Sequence, residues 1–198
     1  YLDLIQSYTI VSYLTDNDVA IAYSQFHAIS EDTRFCVEVN TTGTSGTFAI
    51  THCEITPAQM AIQLRFTLSE GAASDITISD NIFEGNCSQN INGAFSGNLT
   101  ICNNSFSNGT HQSIYGTTLD GSLVISGNTF DDPYFAISFS KICTGALIGI
   151  TNNTFLNAYF AISLGTYGSV DGKADTTISH NHITNSIFGI QIYGDFSD

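Results

Sequence analysis

One eight-residue pattern returns in phase along the chain and constrains its fold more than any other feature. The copies are ITISDNIF (76–83), LTICNNSF (99–106), LVISGNTF (123–130), IGITNNTF (148–155) and TTISHNHI (176–183), with a weaker copy, FAITHCEI, at 48–55. The shared order is apolar, any, apolar, polar, any, Asn, any, then Phe or Ile. The closing residues are Ile55, Phe83, Phe106, Phe130, Phe155 and Ile183, which by subtraction lie 28, 23, 24, 25 and 28 residues apart. Seven or eight residues after each comes an isoleucine of a second apolar run: Ile62, Ile91, Ile114, Ile137, Ile162 and Ile190. Apolar residues at every second position mark strands half-buried on one face. A unit of some two dozen residues cannot bury that face alone. Stacked units can, because each strand pairs with the same strand one unit along, about 4.8 Å away. The expectation is an all-β solenoid, a parallel β-helix with coils of about 23–28 residues.

Stacking turns each repeated position into a column, and the columns are chemically uniform. Phe83, Phe106, Phe130 and Phe155 form one, and Phe135, Phe160 and Phe188 another. Asn81, Asn104, Asn128, Asn153 and Asn181 form the most specific, each two residues before the closing Phe or Ile, with Cys53 in the weakest coil. Asn tolerates left-handed backbone angles at a sharp bend, and stacked amides hydrogen-bond along a ladder. Residues 1–45 are less regular, with VAIAYSQF (19–26) as a second-strand run, and read as one or two distorted coils before a regular solenoid over 46–198.

This pattern resembles the right-handed parallel β-helix repeats of the pectin-lyase-like superfamily over about residues 46–194, roughly three quarters of the chain. The resemblance implies the handedness and the architecture. Pectate and pectin lyases, polygalacturonases, phage tailspikes and bacterial adhesins share the fold, so it does not choose an activity. Polygalacturonase likeness would require Asn-Thr-Asp, Asp-Asp, Gly-His-Gly and Arg-Ile-Lys, of which only Asp131-Asp132 is present. Lyase likeness would require an Arg or Lys base beside calcium-binding aspartates, and Arg65 has no acidic cluster in its own coil.

Charge narrows the partners. Eighteen Asp plus Glu against four Lys plus Arg give a net charge of −14. Phosphate contacts need Lys and Arg, so nucleic acid and anionic membrane are excluded as partners. No apolar stretch approaches the roughly 20 residues that span a bilayer, so membrane insertion is not expected. The five cysteines, Cys36, Cys53, Cys87, Cys102 and Cys143, form no CxxC pair, and their connectivity is open. Six N-x-S/T acceptors, at Asn40, Asn86, Asn98, Asn103, Asn108 and Asn152, fit a secreted, glycosylated surface. Tyr1 without a preceding Met reads as the start of a mature or excised segment.

Candidate chemistry lies on the outward columns. Glu84 and Asp131 each follow a closing Phe, two coils apart and so roughly 9–10 Å. That is near the roughly 6.5–9.5 Å between the carboxylates of inverting glycosidases, and Asp132 lies beside them. Against this stands a reading as solvated turn carboxylates. His52, Asp80 and His180 share the column before the Asn ladder, and His180 and His182 fall on one face of a strand, as two metal ligands or as surface histidines. The segments 131–132 and 171–175 offer carboxylates of the kind calcium takes, without EF-hand spacing, so calcium is the one cofactor considered. Tyr134 and Tyr159 stack in one row, as a sugar-binding platform or as packing under a loop.

Two functions follow. The first is an extracellular structural or adhesive β-helix, a surface stalk or filament subunit, whose uncapped ends associate head-to-tail with itself or with neighbouring surface proteins. The second is a polysaccharide-active enzyme, a hydrolase or lyase working through Glu84, Asp131 and Asp132, or a carbohydrate-binding module on the same fold.

Overall fold

The alternating runs form strands and the Asn-bearing octets form bends. The computed structural model describes residues 10–14, 18–27, 35–41, 45–57, 59–66, 73–85, 87–108, 111–165 and 174–193, and these contain strands but no helix. In chain order the strands are β1 (Ile10–Leu14), β2 (Val19–Ala22), β3 (Gln25–His27), β4 (Phe35–Thr41), β5 (Ser45–Thr51), β6 (Glu54–Thr56) and β7 (Met60–Phe66). There follow β8 (Ala73–Ser79), β9 (Ile82–Glu84), β10 (Gln89–Cys102), β11 (Ser105–Ser107), β12 (Gln112–Ser126), β13 (Thr129–Asp131) and β14 (Phe135–Phe139). The last are β15 (Leu147–Thr151), β16 (Thr154–Leu156), β17 (Phe160–Leu164), β18 (Asp175–Ser179), β19 (His182–Thr184) and β20 (Phe188–Ile192).

Every strand pair is parallel and joins a strand to its counterpart one coil along. The architecture is the right-handed parallel β-helix expected. The three-residue strands make a seven-stranded sheet in the order β19-β16-β13-β11-β9-β6-β3. The other two faces join into one 13-stranded sheet, because β10 and β12 run through the corner between them. Glycine permits that corner. Gly97 and Gly121 sit at φ 88° and 137°, and a Cβ on Gly121 would lie 2.1 Å from the Gly97 carbonyl oxygen. Only a residue without a side chain adopts this backbone with a neighbouring strand so close.

The core is the set of inward columns. Phe83, Phe106, Phe130 and Phe155 are buried and stack face to face at 4.7, 4.9 and 5.0 Å, with interplanar angles of 7° or less. Parallel register makes this possible: equivalent rings repeat at the strand spacing, which is also the spacing of stacked aromatics. Ile91 pairs with both Ile62 and Ile114, so it holds the isoleucine column through the coil whose sequence is poorest there.

The Asn ladder runs inside the bend. In Asn81, Asn104, Asn128 and Asn153, the backbone N–H and Nδ2 both donate to the Oδ1 of the next asparagine, at 2.9–3.0 Å. Each Nδ2 also donates to the carbonyl of an isoleucine in the preceding coil, from Ile50 for Asn81 to Ile150 for Asn181, at 2.8–2.9 Å. Burial without loss is possible because the amide's donors and acceptor are all used. Cys53 keeps part of the pattern: its N–H donates to Asn81 Oδ1 at 2.9 Å and its Sγ to Thr51 O at 3.2 Å. One detail differs from the expectation. The left-handed residue is not the ladder asparagine but the one before it: Tyr23, His52, Asp80, Asn103, Gly127, Asn152 and His180, at φ 52–67°. The ladder residue is turned inward by that bend and does not itself take the strained conformation.

Candidate functional site

A second bend follows β9, β11, β13, β16 and β19 and builds the outer groove. Its left-handed residues are Gly85, Asn108, Asp132, Asn157 and Asn185, types that tolerate positive φ. The chain then passes through a row of exposed or half-buried rings. Phe135 N–H donates to His111 O, Phe160 N–H to Tyr134 O and Phe188 N–H to Tyr159 O, at 2.8 Å each, which sets His111, Tyr134 and Tyr159 one above the other. His111 stacks on Tyr134 at 5.2 Å and 6°, and Tyr134 on Tyr159 at 4.5 Å and 12°. Beside them Phe135, Phe160 and Phe188 stack at 4.5 and 4.7 Å. With Asp132, Asn157 and Asn185, the rings of His111, Tyr134 and Tyr159 line an open groove of about 770 Å³ that follows the solenoid axis.

The stacking decides what the groove can bind. A sugar ring packs on an open aromatic face, and both faces of Tyr134 are covered, one by His111 and one by Tyr159. The row therefore presents ring edges and phenol hydroxyls beside a column of turn amides and one carboxylate. That is a hydrogen-bonding surface and not a stacking platform. His111 escaped the sequence reading. The signal was there: it precedes Tyr134 by 23 residues and Tyr159 by 48, so it belongs to the same column.

The three candidate carboxylates separate. Glu84 pairs with Ser107, which follows Phe106 as Asp131 follows Phe130, so one coil lies between Glu84 and Asp131. Each accepts a hydrogen bond from a turn asparagine one coil along: Asn108 Nδ2 to Glu84 Oε1 at 3.3 Å, and Asn157 Nδ2 to Asp131 Oδ1 at 3.2 Å. Both are exposed on the seven-stranded sheet. Asp132 alone lines the groove, held at φ 59° with its N–H donating to Leu156 O at 3.0 Å.

The remaining candidates stand apart from one another. His52 stacks on Tyr23 at 4.8 Å, His180 occupies the last rung of that column, and His182 Nε2 lies 2.8 Å from Thr184 Oγ1. Among the described residues no three His, Cys, Asp or Glu side chains come together as a metal site. Of the segment considered for calcium, 171–173 lies outside the described residues and Asp175 is exposed. Cys36, Cys53 and Cys87 are buried thiols, Cys102 and Cys143 half-buried ones. Burial pushes Cys87 up to about 12 and Cys36 up to about 11, so these are protonated and not nucleophilic at neutral pH. Cys87 Sγ donates to Asn90 Oδ1 at 3.2 Å, and Asn90 Nδ2 is buried without a partner. Of the glycan acceptors, Asn103 and Asn152 sit exposed at the first bend, Asn108 at the second, and Asn98 donates to Asp75 Oδ1 at 2.7 Å. Asn86 and the side chain of Asn40 lie outside the described residues.

Fold and outer face together define a repeat protein of the parallel β-helix class. Residues 15–168 match the family model described as "Periplasmic copper-binding protein (NosD)", and the chain belongs to this NosD family. No curated protein and no solved structure matches it. Among the described residues no helix is long and apolar enough to cross a membrane.

Proposed function

We propose that the chain is a structural or adhesive β-helix module working outside the cytoplasm, as a surface stalk or filament subunit. The observation that carries this is the use made of the repeated side chains. The buried Asn ladder, the Phe stack and the outer His–Tyr row each spend their bonding capacity on the neighbouring coil, which stiffens the molecule along its axis. The family's description as periplasmic and the six glycan acceptors support the location. External protease applied to intact cells of the source organism tests it. The protein should be cut, or released with the extracytoplasmic fraction, while a cytoplasmic marker is spared. Recovery of the intact chain with that marker would overturn the reading.

The groove favours a second reading, a carbohydrate-binding face. Its hydrogen-bonding edges suit hydroxyl-rich ligands, and the acidic surface favours neutral glycans over anionic ones. A glycan array probed with the parent and with Asn157→Ala tests it: a binding signal reduced about tenfold or more by the substitution supports the groove, an unchanged signal removes it. For a hydrolase working through the carboxylates of the seven-stranded sheet, Glu84→Gln and Asp131→Asn should each abolish cleavage.

The family's copper does not fit the described residues. Copper takes His, Cys or Met donors. All five His, all five Cys and Met60 are among the described residues, yet no three His, Cys, Asp or Glu side chains gather there. No step of the proposed function passes through a metal.

A further inference from the structure

We propose that the outer groove binds a chain of amino sugars laid along the solenoid axis, with a free ammonium group of the chain on Asp132. The inference rests on the carbohydrate-binding reading above and adds the charge of the ligand, its direction and the residue that selects it.

The polar groups of the groove divide into committed and open ones. Asn157 is partly committed: its Nδ2 donates to Asp131 Oδ1 at 3.2 Å, and its Oδ1 accepts from Asn185 Nδ2 at 3.4 Å. Ser88 Oγ donates to Gln59 O at 2.6 Å. Asp132 differs. Its N–H donates to Leu156 O at 3.0 Å and holds the bend at φ 59°, while among the described residues no hydrogen bond reaches its carboxylate. The backbone is fixed, and both carboxylate oxygens keep their capacity to accept. The phenol hydroxyls of Tyr134 and Tyr159 likewise have no hydrogen-bond partner among the described residues.

Charge selects an amine. Among the described residues that line the groove there is no Lys or Arg, and the chain carries −14. Such a surface draws an ammonium ion and repels carboxylate or sulfate. Within the groove the ammonium has one partner. A cation–π contact needs an open ring face, and both faces of Tyr134 are covered, by His111 and by Tyr159. The ring edges are the positive rim of the π-system and suit sugar oxygens instead. The carboxylate of Asp132 is left for the ammonium.

Spacing selects a sugar chain over a peptide. His111, Tyr134 and Tyr159 recur once per coil, with ring centroids 5.2 and 4.5 Å apart. An extended peptide turns like side chains to one face only at every second residue, about 6.6–6.8 Å apart, and is out of step with the rungs by the second coil. One ring of an extended, β-linked sugar chain spans close to one rung, so successive sugars meet successive phenol edges. The amine of one of them then falls to Asp132, which lies two residues before Tyr134 on the same loop.

Titration calorimetry of the whole chain at low salt tests this, with a β-linked glucosamine hexamer, its fully N-acetylated counterpart and hexalysine as probes. The parent should bind the free-amine hexamer about tenfold or more tightly than either of the others, as the loss of one charge-assisted hydrogen bond implies. Asp132→Asn, an isosteric change at an exposed bend, should bring the free-amine hexamer down to the affinity of the acetylated one and leave the acetylated one unchanged. Asp120→Asn makes the same change of net charge at the β12 corner and should alter neither. Equal affinity for the two hexamers, an unchanged affinity in Asp132→Asn, an equal loss in Asp120→Asn, or hexalysine bound as tightly as the free-amine hexamer would each overturn the proposal. Two hexamers bound equally, and both weakened by Asn157→Ala, would remove the amine and leave the carbohydrate-binding face standing. Binding of neither hexamer would remove both.

Discussion

Asn128 Oδ1 accepts from the backbone N–H and the Nδ2 of Asn104, and Asn128 Nδ2 donates to Ile101 O and to Asn153 Oδ1. Asn128→Ala therefore strands buried partners on both sides, each costing about 1–3 kcal/mol. We expect a loss of about 3 kcal/mol, read from the urea midpoint. Gly127, one residue earlier, occupies the left-handed position at φ 67°, and a Cβ there would lie 2.5 Å from Asn103 Oδ1. Gly127→Ala should cost about 1–2 kcal/mol, whereas Asn152→Gly, in the same column at φ 57°, should be close to neutral by the same measurement. The buried thiols set an alkaline limit. Burial raises Cys87 from 9.0 to about 12 and Cys36 from 9.0 to about 11. A raised folded-state value means that the neutral thiol is favoured by folding. That stabilisation is complete below about pH 9 and is lost as pH rises through the folded values. The urea midpoint should fall between about pH 9 and 12, and Cys36→Ala with Cys87→Ala should flatten the decline.

At the scale of the element, the three-residue strands depend on their stacked neighbours. β13 contributes one buried ring, Phe130, packed between Phe106 and Phe155. Phe130→Ala leaves a cavity closed by rings that cannot collapse into it, and should cost about 3–5 kcal/mol. β12 depends on Gly121 to turn the corner. Gly121→Ala meets both the φ of 137° and the Gly97 backbone, and should cost at least about 3 kcal/mol or prevent folding. Thermal melts of the two variants beside the parent check both values. The strands themselves were legible from alternation, because parallel pairing in register preserves one residue type down a column. The fusion of two faces through β10 and β12 was not. The glycines of that corner, Gly97 and Gly121, share one column in phase with the repeat, but their need appears only when a neighbouring backbone is set 2.1 Å from an added Cβ.

For the whole molecule, a solenoid's stability is a sum over rungs and their interfaces. Among the described residues, central coils have neighbours on both sides and the coils at either end on one. Hydrogen exchange should be slowest in β11, β13 and β16 and fastest in β19 and β20, with no single global rate. A uniform exchange rate along the axis would contradict the rung-by-rung picture.

The amino-acid sequence by itself determined the period, the identity of the inward columns and the solenoid they require, because a parallel stack repeats each residue's environment once per coil. The Asn ladder was visible for the same reason. Tertiary structure decided what depends on the bends between rungs. It moved the left-handed angle from the ladder asparagines to the residues before them, where only the backbone path around the corner distinguishes the two positions. It brought His111 into the row with Tyr134 and Tyr159 and covered the faces of Tyr134. It gave Glu84 and Asp131 to Asn108 and Asn157, and set Asp132 alone in the groove. Coils of 23 to 28 residues place their turn side chains by the excursion of each loop, and that excursion is written in three dimensions and not in the spacing.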